Sequence, residues 1–192
     1  MKSVKKIALL ISIVIGLLFI LEKTYDFFIF KNKNIKTNYI SSEKVNAAIL
    51  FEGSCIPYQT ISPQIIKNET GLETYNLASN HSDLAENYLN IYLYLKNNPA
   101  PKFIFLFTGA ETFDENYNAF NSYRYSCFTN DQEVKNIIKE LDPEFSSWLW
   151  IPFMKYAYYN SKITFPTVQG VKHFLDRNKH VYVTELYPQD CS

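Results

Sequence analysis

The residues of this chain with the clearest capacity for chemistry are Gly53-Ser54-Cys55, which end the apolar run Ala47-Ala48-Ile49-Leu50-Phe51-Glu52. A short apolar run that stops at two small residues and a thiol reads as a strand delivering a nucleophile to the tip of a tight turn. The carboxyl end of a parallel strand is where open α/β sheets keep their ligands. A thiolate at Cys55 can attack an acyl carbon if a helix N-terminus or a histidine stabilises it. Ser54 is the neighbouring hydroxyl, one residue out of phase with the tip. His81, in Asn80-His81-Ser82-Asp83, follows the next strand on the same sheet face, so a Cys55–His81 pair oriented by Asp83 is conceivable. The competing reading makes Cys55 a small residue at a tight turn and His81 a capping or surface residue.

A second group follows the third apolar run. Glu111, Asp114 and Glu115 are able to bind a cation or a sugar hydroxyl, or simply to form a solvated acidic loop. Tyr117, Phe120, Tyr123, Tyr125 and Phe128 are a stacking surface for sugars or the packed underside of a long loop. No cysteine–histidine cluster has zinc-ligand spacing, and no glycine-rich phosphate loop occurs. Nothing in the sequence calls for a cofactor. Net charge is zero, which gives no footprint for nucleic acid.

The elements that must position these residues alternate strand with helix. The pattern predicts strands at Ala47–Glu52, Glu73–Ala78, Lys102–Thr108 and His180–Leu186. Ser62-Pro63 opens a short helix through Lys67, ended by Gly71. Ser82-Asp83 caps a longer one over Leu84–Lys96, with Leu84, Tyr88, Ile91, Tyr92 and Leu95 at helical spacing. Phe103-Ile104-Phe105-Leu106-Phe107 is apolar without interruption, as in a strand buried on both faces. Gly109–Asn130 is a long polar and aromatic excursion. Helices are then expected at Asp131–Leu141, at Phe145–Tyr159 with a break near Pro152, and at Thr167–Arg177. Strand–helix–strand steps with short links imply a doubly wound parallel sheet with right-handed crossovers.

Ahead of this lies Ile7–Leu21, an uncharged apolar run preceded by Lys2, Lys5 and Lys6. No small-x-small cleavage site follows. Aromatics at Tyr25, Phe27 and Phe28 extend it as an interfacial belt. We read an uncleaved signal anchor in preference to a cleaved signal peptide: a basic stub at 1–6, a membrane span at 7–24, a linker at 25–46 and one α/β domain at 47–192. The expected arrangement is a single pass through a membrane, with the domain outside the cytoplasm. Residues 1–36 carry seven lysines against Glu22 and Asp26, a net +5, leaving −5 on the remainder. A basic arm of this kind suits anionic head groups, or is a solvated linker. Of three cysteines, either Cys127 and Cys191 form a bridge that leaves Cys55 alone, or all three stay unpaired.

From Ile49 onward the order of features resembles the SGNH (GDSL-like) hydrolase superfamily, in particular its membrane-anchored members of the bacterial envelope. The resemblance rests on Ile49-Leu50-Phe51-Glu52-Gly53-Ser54-Cys55, Ser62-Pro63-Gln64-Ile65-Ile66, Thr74-Tyr75-Asn76-Leu77-Ala78 and Pro101-Lys102-Phe103-Ile104-Phe105-Leu106, and extends through Lys155-Tyr156-Ala157-Tyr158-Tyr159-Asn160. It implies a three-layer α/β/α sandwich of the SGNH or flavodoxin-like kind, and an acyl-ester hydrolase or acyltransferase acting on envelope glycan or lipid. It places Cys55 where the family has its nucleophilic serine, and backbone oxyanion donors near Gly53, Asn76 and Ala78, with Gly109 matching the third block. The chain departs from the pattern in three ways. Cys55 replaces serine, Glu111 falls where an asparagine is expected, and the final Asp-x-x-His block is missing, since neither His173 nor His180 has an aspartate three residues before it. The alternatives are a catalytically inactive binding or assembly protein, or a truncated copy of a longer hydrolase.

Overall fold

The structure, a computed structural model, describes residues 2–109, 120–158 and 160–176. The expected strand His180–Leu186, Cys191, and the loop residues Glu111, Asp114, Glu115 and Tyr117 lie outside the described residues. What is described is a mixed α/β chain that falls into two compact units. One holds residues 33–124; the other joins residues 2–32 to 125–176.

The α/β unit is built on three parallel strands, β1 (Ile49–Gly53), β2 (Thr74–Asn76) and β3 (Phe103–Phe107), in the order β2-β1-β3. Ile49 pairs with Thr74 on one side and Phe103 on the other. Every residue of β1 is buried, which is why its sequence is apolar up to Glu52. The helices of this unit are α2 (Lys36–Ser42), α3 (Cys55–Thr60), α4 (Pro63–Thr70) and α5 (Leu84–Asn97). Asp83 caps α5 by accepting the Glu86 N–H at 2.8 Å, and α4 ends on Gly71 in the left-handed region. Leu50, Leu77, Leu89, Tyr94 and Ile40 are fully buried; each such aliphatic side chain contributes about 1.5–3 kcal/mol. The Tyr94 hydroxyl accepts the Ala47 N–H at 3.0 Å. Asn98 Nδ2 donates to the Ile40 carbonyl at 2.8 Å, tying α2 to the end of α5.

Strand β3 differs from expectation. All five of its residues are exposed, between 38% and 54%. Its apolar run is that of a strand lying at the edge of the described sheet and packed chiefly on β1, with Phe51 stacked on Phe105 at 5.2 Å.

The second unit is helical. Helix α1 (Lys2–Lys31) is followed, after the α/β unit, by α6 (Gln132–Leu141), α7 (Pro143–Trp148), α8 (Met154–Tyr158) and α9 (Asn160–Leu175). α1 is long and apolar enough to cross a membrane, and the stretch read as a linker, 25–46, carries its last turns and α2. α9 runs back along α1: Phe174 meets Phe27 and Phe28, and Asn32 Nδ2 donates to the Pro166 carbonyl and to Gln169 Oε1, each at 3.0 Å. A Cβ at Gly170 would fall on the Phe28 carbonyl oxygen, so the two backbones touch only because this residue is glycine.

Candidate functional site

The turn after β1 depends on Gly53. Its φ is +146°, and a Cβ there would lie 2.7 Å from the Phe107 carbonyl oxygen and 2.8 Å from Pro57 Cγ. The chain can therefore leave the sheet between β3 and α3 only with glycine at this position. Ser54 precedes the first turn of α3, and its hydroxyl lies 3.8 Å from Cys55 Sγ. Cys55 begins α3, half-buried.

The loop after β2 closes over this turn. Ser79 N–H and the Ser82 hydroxyl both donate to the Gly53 carbonyl, at 3.1 and 2.8 Å. Cys55 Sγ donates to Asn80 Oδ1 at 2.9 Å and accepts the His81 backbone N–H at 3.5 Å. His81 is exposed, with φ +52°. The structure places Cys55, Ser54 and His81 next to one another, with His81 offering Cys55 its main-chain N–H and Asp83 engaged as the cap of α5.

The oxyanion positions suggested by the resemblance are occupied by structural bonds. Asn76 Nδ2 donates to the Pro57 and Ile61 carbonyls at 2.8 and 3.1 Å, and its Oδ1 accepts the Ala78 N–H at 3.0 Å. The Ala78 carbonyl takes Lys36 Nζ at 2.6 Å. Gly53 N–H reaches Glu52 Oε1 at 3.2 Å. Gly109 is half-buried just past β3.

Sequence reasoning missed the polar residues underneath. Arg124 holds the 79–81 loop from below: Nη2 donates to the Asn80 carbonyl at 2.7 Å, and Nη1 to Ser79 Oγ and Glu86 Oε1, each at 3.2 Å. Asn121 Nδ2 bridges the His81 carbonyl and Glu86 Oε2, each at 3.3 Å. Glu86 is fully buried, and burial pushes its carboxyl up to about 7 against the pull of Arg124 and Asn121. Glu52 is also fully buried and is pushed up to about 8 by burial, with Asn90, Gly53 and Lys36 opposing. Burial lowers Lys36 to about 8, with Glu52 opposing, and its ammonium lies 4.6 Å from the Tyr58 ring centre. The available signals were Glu86 at the third helical position after a capping aspartate and a lone glutamate inside an apolar strand. Nothing in the sequence marked Arg124, 38 residues away from Glu86.

The aromatic group divides. Tyr125 is buried, Phe128 packs on Phe30 at 5.9 Å between ring centres, and Tyr123 lies 5.9 Å from the Arg124 guanidinium. For Tyr125 and Phe128 this is packing. Cys127 is a thiol that burial pushes up to about 12, with Asp26 adding to the shift, which makes it a poor nucleophile. Among the described residues no group of three or more His, Cys, Asp or Glu is placed to hold a metal ion. No family model matches the chain, and comparison with curated proteins and with solved structures gives no significant match.

Proposed function

We propose that this chain is a membrane-tethered protein of the bacterial cell envelope whose SGNH-like α/β unit binds an acylated glycan or lipid and does not cleave it. The observation that carries the reading is the Cys55 Sγ–Asn80 Oδ1 hydrogen bond of 2.9 Å. A neutral amide oxygen accepts a hydrogen bond from a thiol but is too weak a base to take the proton, and a bond made by the protonated form disfavours the thiolate. Cys55 then acts as a tie between the β1–α3 turn and the β2–α5 loop, holding the lip of a recognition site. The parallel order β2-β1-β3, with this lip at the carboxyl end of the central strand, supports a ligand site there. The finer architecture, a doubly wound three-layer sandwich, belongs to the same proposal, as does an orientation with the α/β unit outside the cytoplasm.

A second reading keeps the chemistry. The His81 N–H aimed at Cys55 Sγ is a donor that would favour a thiolate; Cys55 would attack the acyl carbon of an ester, forming a thioester as the C–O bond breaks and the alcohol leaves with a proton from water, and a second water would hydrolyse the thioester to regenerate the thiol. One experiment separates the two. The full chain in detergent is given p-nitrophenyl acetate beside Cys55→Ala, and iodoacetamide labelling of each cysteine is followed by peptide mass spectrometry. Binding predicts no turnover above the Cys55→Ala control, and Cys55 labelling at pH 7 no faster than that of a free thiol such as glutathione. It also predicts that retention on envelope glycan is weakened but not abolished in Cys55→Ala, which loses the tie and keeps the rest of the lip. Turnover that disappears in Cys55→Ala, with labelling faster than glutathione, would replace binding with hydrolysis.

A further inference from the structure

The uncharged run of α1, Ile7–Leu21, rises only about 22 Å at 1.5 Å per residue, short of the roughly 30 Å hydrocarbon core of a bilayer. The next turns, Glu22 to Asp26, must therefore sit at or inside the lipid boundary if α1 spans. Their charges are paired in a way that suits that depth. Lys155, 4% exposed, lies 2.9 Å from Asp26 and 3.2 Å from Glu22, and Lys23 reaches Asp26 at 3.5 Å. Lys155 Nζ also donates to the Ser126 carbonyl at 3.1 Å, and the Tyr156 hydroxyl donates to Asp26. Two carboxylates and two ammoniums leave this level of the unit without net charge.

The same contacts fix what stands beside it. Phe153 N–H donates to Glu22 Oε2 at 3.0 Å, and Tyr25 packs on the Phe153 ring at 5.1 Å and the Tyr156 ring at 5.3 Å. Phe153 holds a φ of +69°, in a region costly for a bulky side chain. The turn it closes is tight: Ile151 N–H reaches the Trp148 carbonyl at 3.3 Å and Met154 N–H the Ile151 carbonyl at 3.1 Å. That turn holds out Trp150, 82% exposed, and Ile151, 48% exposed. Three residues span at most about 11 Å, so Trp150 is confined to the neighbourhood of the Glu22 level. Lys135 lies 5.3 Å from the Trp150 ring centre, a pairing of amphipathic ring and ammonium suited to head groups.

We propose that the turn Trp148–Phe153 is a second membrane contact, with Trp150 and Ile151 seated at the head-group boundary of the bilayer that α1 crosses. The occupant of this apolar tip is lipid, because Phe153 and its contacts with Glu22 and Tyr25 hold the tip at the depth where α1 leaves the hydrocarbon. The proposal rests on α1 being a membrane anchor.

The test uses the full chain in phosphatidylcholine–phosphatidylglycerol vesicles, with lipids brominated either near the glycerol or at mid-chain. The protein has two tryptophans; Trp148→Phe leaves Trp150 as the sole probe, and Trp150→Phe is the reciprocal variant should the first fold poorly. Trp150 emission should be blue-shifted and quenched about twofold by the shallow label, less by the deep one, as expected for an interfacial ring. Wild-type quenching should fall in Trp150→Phe. Emission at the water-exposed wavelength without quenching, in a chain that still floats with the vesicles, overturns the second contact and leaves the anchor standing. A blue shift that grows with protein concentration and ignores brominated lipid assigns the tip to a second copy and overturns it too. A chain that does not float at all removes both readings.

Discussion

Glu52 is the residue whose environment departs most from its chemistry. It lies within the fully buried strand β1, one position before Gly53, and its Oε2 has no hydrogen-bond partner among the described residues. Its carboxyl is raised from 4.5 to about 8, so between those values the folded chain binds a proton that the unfolded chain has released. Glu86 adds the same effect between 4.5 and about 7. Stability from these groups is therefore complete below about pH 4.5 and is lost as pH rises, at up to ~1.4 kcal/mol per pH unit for each carboxyl inside its window. Lys36, lowered from 10.5 to about 8, has the opposite sign above its folded value, and stability recovers between about pH 8 and 10.5. In Glu52→Gln the decline should be shallower and should end near pH 7, where Glu86 finishes titrating. Thermal midpoints of the full chain between pH 5 and 9 check this; a variant with the wild-type slope up to pH 8 would show that Glu52 is ionised in the fold. The sequence exposed part of this site. Gly53-Ser54-Cys55 stood out because small residues end an apolar run abruptly, and His81 because it follows the next strand. The Arg124–Glu86 pair stayed hidden because pairing of distant charges depends on tertiary packing and leaves no local periodicity.

At the level of elements, local signals did well where they were self-sufficient. Asp83 and Asp131 cap α5 and α6 through their own side chains, and Pro63 starts α4 as proline at a first helical position does. The break near Pro152 separates α7 from α8. Expectation failed where packing decides. α9 begins at Asn160, ahead of the expected Thr167, and carries Pro166 inside it. A proline inside a helix forfeits a backbone bond, and its own carbonyl is here engaged by Asn32. The short helix α3 and the 3-10 turn at Ser122–Phe128 have no periodic pattern to announce them. The β3 run read as buried because an apolar sequence cannot distinguish a covered strand from an uncovered one. The tightest dependence on a single residue is at the α1–α9 crossing. Gly170→Ala forces these backbones apart and should destabilise the helical unit by about 1–3 kcal/mol, seen as a lower thermal midpoint and faster proteolysis between α6 and α9. An unchanged midpoint would mean that α9 does not pack on α1 in solution.

For the whole molecule, α1 has two halves with different duties. Its first part is apolar and uncovered, and its last part, from Glu22 on, carries the partners of Lys155, Tyr156 and α9. Deleting residues 2–21 should release the protein from all but weak vesicle association, carried by Trp150 and Ile151, with helicity of the remainder intact. Deleting residues 2–32 should in addition leave Lys155 without its carboxylates and Gly170 without its partner, and the helical unit should unfold. Flotation together with circular dichroism distinguishes the two deletions. Equal loss of structure in both would show that the membrane segment itself is needed for folding.

The helical unit is interrupted in sequence by the α/β unit, and this sets a schedule for biosynthesis. Glu22 and Asp26 emerge from the ribosome early, but Lys155 lies 129 residues beyond Asp26. At translation rates of about 5–20 residues per second, the two carboxylates wait on the order of ten seconds for their counter-ion. During that delay the α/β unit, whose described strands and helices lie between residues 33 and 124, has time to fold on its own. A nascent chain stalled before residue 155 would then hold strands β1–β3 C-terminal to a helix α1 whose Glu22 still lacks the Lys155 ammonium.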